Sequence, residues 1–458
     1  MRHRLLGLLL LALPLLAGQG PAWRYTVALQ PGGQELRVEA TFAPGTTTRF
    51  SVDDRSEPFV RDVEVQRRGA WVPVAPAGGE VWELPEATRR EVRLRYRFRL
   101  AEAARSLRDR DAASRRGDLI LAAPSVFLLR PWQAARGAVA ALRFDAPPGL
   151  GVLCGIFPGP EGDAVIDGTD LENAPLAAFG AFRTLRVEAD GGLVEAAVPP
   201  AFPAAVDDAV CGWIREGMDN VAGLAGRFPV RRAALFLVSA GRGRGVVFGS
   251  IGGRGGAGVT MLASPDLRPE DLAADWMLTH EFLHLCVATL PSRHLWFTEG
   301  LATYLEPLAR LRRGRLKPEA AWAAFLKAMP EGLPKPGDRG LDRTPTWGRT
   351  YWGGALFCLM ADLEIRRATE NRQSLEDALK SLVKSGATKA VAMEAEAAFR
   401  LADRGLEKPV LLKLYRRWAT EPVDVDLEAL WRRLGIVREG SSVRFDGTAP
   451  EAAIRPMR

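Results

Sequence analysis

The sequence predicts a multidomain chain: a β-rich N-terminal region, then an α/β domain, then an α-helical C-terminal region. Three observations predict it. The chain has 458 residues, enough for about two to four domains. Apolar and polar residues alternate at period two along much of the stretch from Trp23 to Pro200. Near Pro203 the period changes, and helical spacing dominates from Pro269 to about Gly435. The expected divisions are 1–22, 23–200, 201–315, 316–436 and a tail at 437–458.

The first segment, MRHRLLGLLLLALPLLAGQGPAW, sets Arg2 and Arg4 before an apolar run from Leu5 to Leu16, then small residues. That is the layout of a signal peptide. The run falls short of the ~20 residues that span a bilayer, and Pro14 interrupts it. Gly20 and Ala22, or Ala17, suit the small positions before a cut. No other stretch is long and apolar enough for a membrane helix. The expected mature protein is soluble, without stable membrane insertion, and exported to the periplasm or the extracellular space.

Strands follow. YTVALQ, ELRVEATF, RFSVDD, VRDVEVQRR and EVRLRYRFRL alternate in character, with turns supplied by Pro31, Gly32, Gly33 and the Gly78-Gly79 pair. The charged stretch from Ala101 to Gly117 lacks an apolar period and reads as a loop or short exposed helix. AALRFDA, GLGVLCGIF and TLRVEA continue the β region to Pro200.

The α/β domain begins with a helical pattern from Pro203 to about Gly226. ALFLVS is a continuous apolar strand, and GVTMLAS is another beyond a glycine-rich loop. Gly253, Gly255 and Gly258 fit a dinucleotide-binding GxGxxG string, but a strand rather than a helix follows, which excludes that reading.

The formal net charge is +7, and no lysine precedes Lys317. Arginine therefore carries the upstream charge as a compositional bias. The densest basic run, Arg310, Arg312, Arg313, Arg315 and Lys317, reads as a solvated helix end, and no aromatic-interleaved platform for nucleic acid is present. Cys154, Cys211, Cys286 and Cys358 have no metal-ligand spacing, and Cys286 and Cys358 are expected as buried thiols.

The chemistry concentrates in THEFLHL, where His280, Glu281 and His284 form an HExxH string. Residues four apart share a helix face, so both imidazoles can point at one zinc ion while Glu281 reaches its water. Pro269, Glu270 and Asp271 make a favourable first turn for the helix, and Pro291 marks its end. Leu272, Trp276, Leu283 and Val287 are expected to pack its other faces. Only four histidines occur in the chain, and two fall in this motif.

A third ligand follows in WFTEGLATYLEP. Glu299 lies past the turn at Pro291 and Ser292, on a second helix that can run back along the first. Gly300 permits close helix approach, Thr298 is a candidate cap, and Pro307 is expected to kink or end the helix. His294 is the rival ligand, otherwise a partly exposed histidine at the rim. Glu306 is expected in a supporting or surface role. Two histidines, one glutamate and an open position make the catalytic form of a zinc site. Val287 and Leu290 stand where a metzincin would carry its glycine and third histidine.

HEFLH, WFTEGLATYLE and TYWGGALFCLMADLEIRRAT together resemble the gluzincin metallopeptidases, and more narrowly the glycyl aminopeptidase family, relatives of the aminopeptidase N family. The resemblance implies a thermolysin-like α/β catalytic domain, one zinc ion and a peptide or protein substrate. It also implies that Tyr351, three residues before Gly354, hydrogen-bonds the developing oxyanion. By its own surroundings Tyr351 reads as a packed aromatic. One departure stands out: VVFGSIGGRGGAGVTML keeps the glycines of the family's substrate-binding edge strand but not the acid that holds a substrate amino terminus. The family's C-terminal PDZ module is expected to be absent.

The expected activity is metal-assisted peptide hydrolysis with Glu281 as general base. Two alternatives stay open: a zinc-bearing peptide binder without catalysis, and a zinc hydrolase of non-peptide amides or esters. Amino-terminal trimming and internal cleavage are both compatible with these residues.

Overall fold

The structure is a computed structural model and describes residues 21–84, 90–134 and 137–457. Residues 1–20, which hold nearly all of the expected leader, lie outside the described residues. Among the described residues no helix is long and apolar enough to cross a membrane.

The N-terminal part is built on a seven-stranded sheet. Its strand order is Ala164–Asp167, Val139–Asp145, Trp23–Leu29, Leu36–Phe42, Val92–Phe98, Val60–Arg67, Ala70–Pro73. The period-two pattern explains its faces. Trp23, Tyr25, Val27 and Leu29 point inward, and Leu36, Val38, Ala40 and Phe42 do the same on the neighbouring strand. Charged residues line the outer face, with Arg95 paired to Glu64 at 2.6 Å. Two four-stranded sheets pack with it around an apolar core of their own.

The charged stretch after residue 100 differs from expectation. Leu100–Leu107 is an amphipathic helix whose Leu100, Ala101, Ala103 and Ala104 are buried, and Ala113–Arg116 is a strand. Small alanines hid the apolar face behind the arginines.

The second part centres on a five-stranded sheet ordered Arg183–Ala189, Gly192–Val198, Arg232–Ser239, Gly258–Ala263, Val246–Gly252. The three inner strands are parallel, and helix Asp207–Ala225 carries the chain across one face. The strands at 183–198, expected with the β-rich region, thus belong here. Pairing decides this: Leu193 to Ala197 lie in register with Arg232 to Phe236. The two parts meet sheet against sheet, where Leu121, Leu153 and Ala178 pack on Ala197, Ala234, Phe236 and Val238.

Beyond Pro269 the chain is mostly helical, and its helices share one core with the five-stranded sheet. Neither 315 nor 436 separates independent cores. The expected tail contains the hairpin Ile436–Glu439 and Ser442–Phe445, and Ile436, Val443 and Met457 are buried in that same core. The basic run is a helix end tied to carboxylates: Arg310 to Glu306, Arg312 to Glu376 and Arg315 to Glu216. All four cysteines are free, and Cys154, Cys286 and Cys358 are buried.

Candidate metal centre

The HExxH string lies on helix Met277–His284. The expected single helix from Pro269 is broken into Pro269–Ala273 and this second piece. Asp275 makes the break. Its Oδ2 accepts from Leu278 N at 3.0 Å and from Trp213 Nε1 at 2.9 Å, so the motif helix starts at a fixed point. Trp276, expected as a packing residue, is 46% exposed and forms a cavity wall instead. Asn220 Nδ2 donates to Thr279 Oγ1 at 3.0 Å and holds the buried face.

His280, Glu281 and His284 are buried and bring donor atoms within 4.8 Å of one another. The imidazole centroids are 5.0 Å apart. Glu299 arrives from helix Leu295–Arg312. Its Oε2 stands 3.3 Å from His280 Nε2 and 3.5 Å from His284 Nε2. Two ring nitrogens aimed at one carboxylate oxygen form a converging donor set that fits a single zinc ion.

Gly300 explains how the second helix gets so close. A β-carbon there would collide with the backbone of Gly354, at the start of helix Gly354–Ala368. Thr298 does not cap this helix; it sits in the first turn, donating to Leu295 O at 3.1 Å. The helix also runs through Pro307 to Arg312. His294 is buried rather than at the rim. Its Nδ1 lies 2.8 Å from Asp342 Oδ1, which also accepts from Trp296 Nε1 at 2.7 Å. That network turns His294 away from ligation and anchors the start of the glutamate helix.

The electrostatics separate the two acids. Burial pushes the Glu281 carboxyl up to about 8, helped by repulsion from Glu299 and opposed by Lys389. Burial also acts to raise Glu299, but hydrogen bonds from His280 and His284 outweigh it and hold that carboxyl well below the usual range. Burial lowers His284. These surroundings favour the proton on Glu281 and the anion on Glu299.

Tyr351 faces the same cavity from a π-helical turn, Arg349–Gly353. Arg349 Nε meets Asp338 Oδ2 at 2.8 Å within the protein and fixes that turn. Burial raises the Tyr351 hydroxyl, and so do Glu299 and Glu281. A protonated phenol facing two acids is a hydrogen-bond donor for an anionic oxygen.

The cavity measures about 720 Å³. The edge strand Val246–Gly252 forms one wall with Phe248, Gly249, Ser250 and Ile251. Sequence reasoning missed three other wall residues: Arg110, Trp276 and Lys389. No spacing rule could have found Lys389, whose backbone oxygen accepts from Thr289 Oγ1, 100 residues away. Glu306, expected to support the site or lie at the surface, is buried in the cavity wall and paired to Arg310 at 3.2 Å.

No protein-family model matches the chain, and no curated protein matches it in sequence. Solved structures do match its fold. An aminopeptidase N family protein from Idiomarina loihiensis superposes with a TM-score of 0.66 at 13% identity, covering 90% of this chain and 78% of that one. An M1 zinc metallopeptidase from Deinococcus radiodurans gives 0.54 at 17% identity, covering 88% and 94%. A mutant of that enzyme bound to a Tyr-Ser-Ala substrate gives 0.54 at 16% identity, with the same coverage. The chain therefore has the multidomain fold of these proteins, with a β-rich N-terminal region and a helical C-terminal region.

Proposed function

We propose that the chain is a zinc-dependent metallopeptidase of the gluzincin type with a thermolysin-like catalytic domain, exported before it acts. One observation carries this reading: His280, His284 and Glu299 converge from two helices while Glu281 stands beside them against an open strand edge. The fold likeness to zinc peptidases, one of them bound to a tripeptide, supports it. The glycyl aminopeptidase resemblance of the motifs supports it further.

His280, His284 and Glu299 would hold the zinc. A zinc ion in such a site supplies Lewis acidity to a carbonyl and lowers the pKa of water. This chain's own residues then do the rest. A peptide can lie along Val246–Gly252 as an added strand, which brings its carbonyl over the site. Glu281 takes the proton of the attacking water and passes it to the departing amine. Tyr351 donates to the oxygen that gains charge, a contact worth roughly 3 kcal/mol in comparable sites.

The missing acid on the edge strand favours a second reading, in which the substrate is not anchored by its amino terminus. A zinc-bearing binder without catalysis, or a hydrolase of other amides, falls in the same class of alternatives. Incubation with a mixed peptide library decides among them. Stepwise shortening identifies an aminopeptidase and internal cuts an endopeptidase. The Glu281→Gln variant should keep one zinc and lose about 10²–10⁴-fold in rate. A zinc-loaded Gln variant with full activity would overturn the mechanism, and a zinc-loaded parent that cuts nothing would overturn the function.

A further inference from the structure

The cavity wall carries a lysine in addition to its acids. Lys389 reaches the cavity and also lines a smaller recess of about 70 Å³ bounded by His284, Ser292 and Leu295. Its ammonium has no hydrogen bond or ion pair among the described residues. Burial lowers the Lys389 ammonium, while Glu299 and Glu281 act to keep it charged, and it shares both recess walls with His284.

Its position is fixed by backbone. Lys389 N donates to Leu285 O at 3.2 Å, immediately after the second motif histidine. Thr289 Oγ1 donates to Lys389 O at 2.8 Å, and Ala390 O accepts from Gly255 N at 2.9 Å. The loop is thereby stitched to the exit of the motif helix and to the turn after the edge strand. A second cation, Arg110, lies over the Phe248 ring at 5.3 Å and lines the same cavity.

The acids of the cavity are already engaged. Glu299 faces two imidazoles, Glu281 flanks them, and Glu306 is paired with Arg310. No acid stands free on the edge strand to hold a substrate ammonium. The cation of this wall that no hydrogen bond or ion pair engages among the described residues is Lys389.

Resting on the peptidase reading above, we propose that Lys389 recognises a substrate carboxylate, pairing its ammonium with an anionic group of the peptide bound beside the scissile bond. The carboxylate is either a free C-terminus or an Asp or Glu side chain. A partly desolvated ammonium–carboxylate bond discriminates against a neutral isostere by about tenfold or more. Lys389 is a specificity residue here and carries no step of the hydrolysis.

Calorimetry on zinc-loaded Glu281→Gln protein tests this without turnover. One pair of probes is Ala-Ala-Ala and its C-terminal amide; the other is acetyl-Ala-Glu-Ala-amide and acetyl-Ala-Gln-Ala-amide. At least one acid should bind about tenfold more tightly than its neutral partner. Which pair shows it identifies the source of the carboxylate. Adding Lys389→Met should bring that ratio near one, and Lys389→Arg should restore most of it. Lys389→Gln serves if the Met variant does not fold. A ratio near one for both pairs with Lys389 present, or a ratio unchanged by its removal, overturns the proposal. Because binding is read directly, these outcomes are distinct from a failure of the chain to cut peptides.

Discussion

Glu281 lies flat against Gly249. A β-carbon built at position 249 would stand 2.7 Å from Glu281 Cγ and 2.8 Å from its Oε1. The edge strand therefore approaches the acid as closely as backbone can, and glycine at 249 sets where the carboxylate sits. Gly249→Ala should displace Glu281 and leave the two histidines in place. The expected result is a fall in kcat of about 10- to 100-fold with zinc content retained. Metal analysis beside steady-state kinetics checks both halves, and unchanged kinetics would show that Glu281 is positioned otherwise.

Gly300 and Gly354 make a comparable contact between helices. A β-carbon at 300 meets the Gly354 backbone, which has no rotamer to yield. Gly300→Ala should cost roughly 1–3 kcal/mol of stability, read from denaturant midpoints of the metal-free protein. Glu299 is the next residue, so zinc affinity measured separately should fall as well. A variant with parental stability and affinity would mean that the helices separate at no cost.

Tyr351→Phe removes one hydroxyl from the cavity wall and leaves its ring. The π-helical turn is held by Arg349 and Asp338, so the fold should persist. With the donor gone, kcat should fall by about 10²–10³-fold while KM changes little. A change confined to KM would assign Tyr351 to ground-state binding.

Glu306 gives a pH-dependent prediction that does not involve the metal ligands. Burial pushes its carboxyl up to about 7, against the pull of Arg310. An acid with a folded pKa above its unfolded value, about 4.3, holds its proton more tightly in the folded state. Its contribution is therefore complete below about pH 4.3, is lost as pH rises towards 7, and stays lost above that. Glu306→Gln cannot ionise. Relative to the parent, it should gain up to roughly 3 kcal/mol between pH 5 and pH 8. Unfolding of the zinc-loaded proteins at the two pH values measures the difference, and parallel pH curves would refute it.

Local patterns made much of this legible in the sequence. Alternation placed the front strands, since each inward residue is two positions from the next. The four-residue spacing of His280 and His284 put both rings on one helix face, and the turn at Pro291 brought Glu299 back to them. These features depend on neighbours within a turn or two of backbone, which a sequence displays directly.

Tertiary structure decided the rest. Strand pairing moved 183–198 into the second sheet, because register with Arg232–Ser239 is a long-range choice. Burial of His294 against Asp342 and exposure of Trp276 reversed their expected roles, because accessibility depends on what packs across the chain. Lys389 and Arg110 came to the cavity from distant segments through backbone bonds and sheet contacts that no spacing encodes. Helical periodicity alone set His280, Glu281 and His284 on one turn of one helix. Only the folded arrangement of separate elements decided the walls, charge and shape of the cavity that donor set serves.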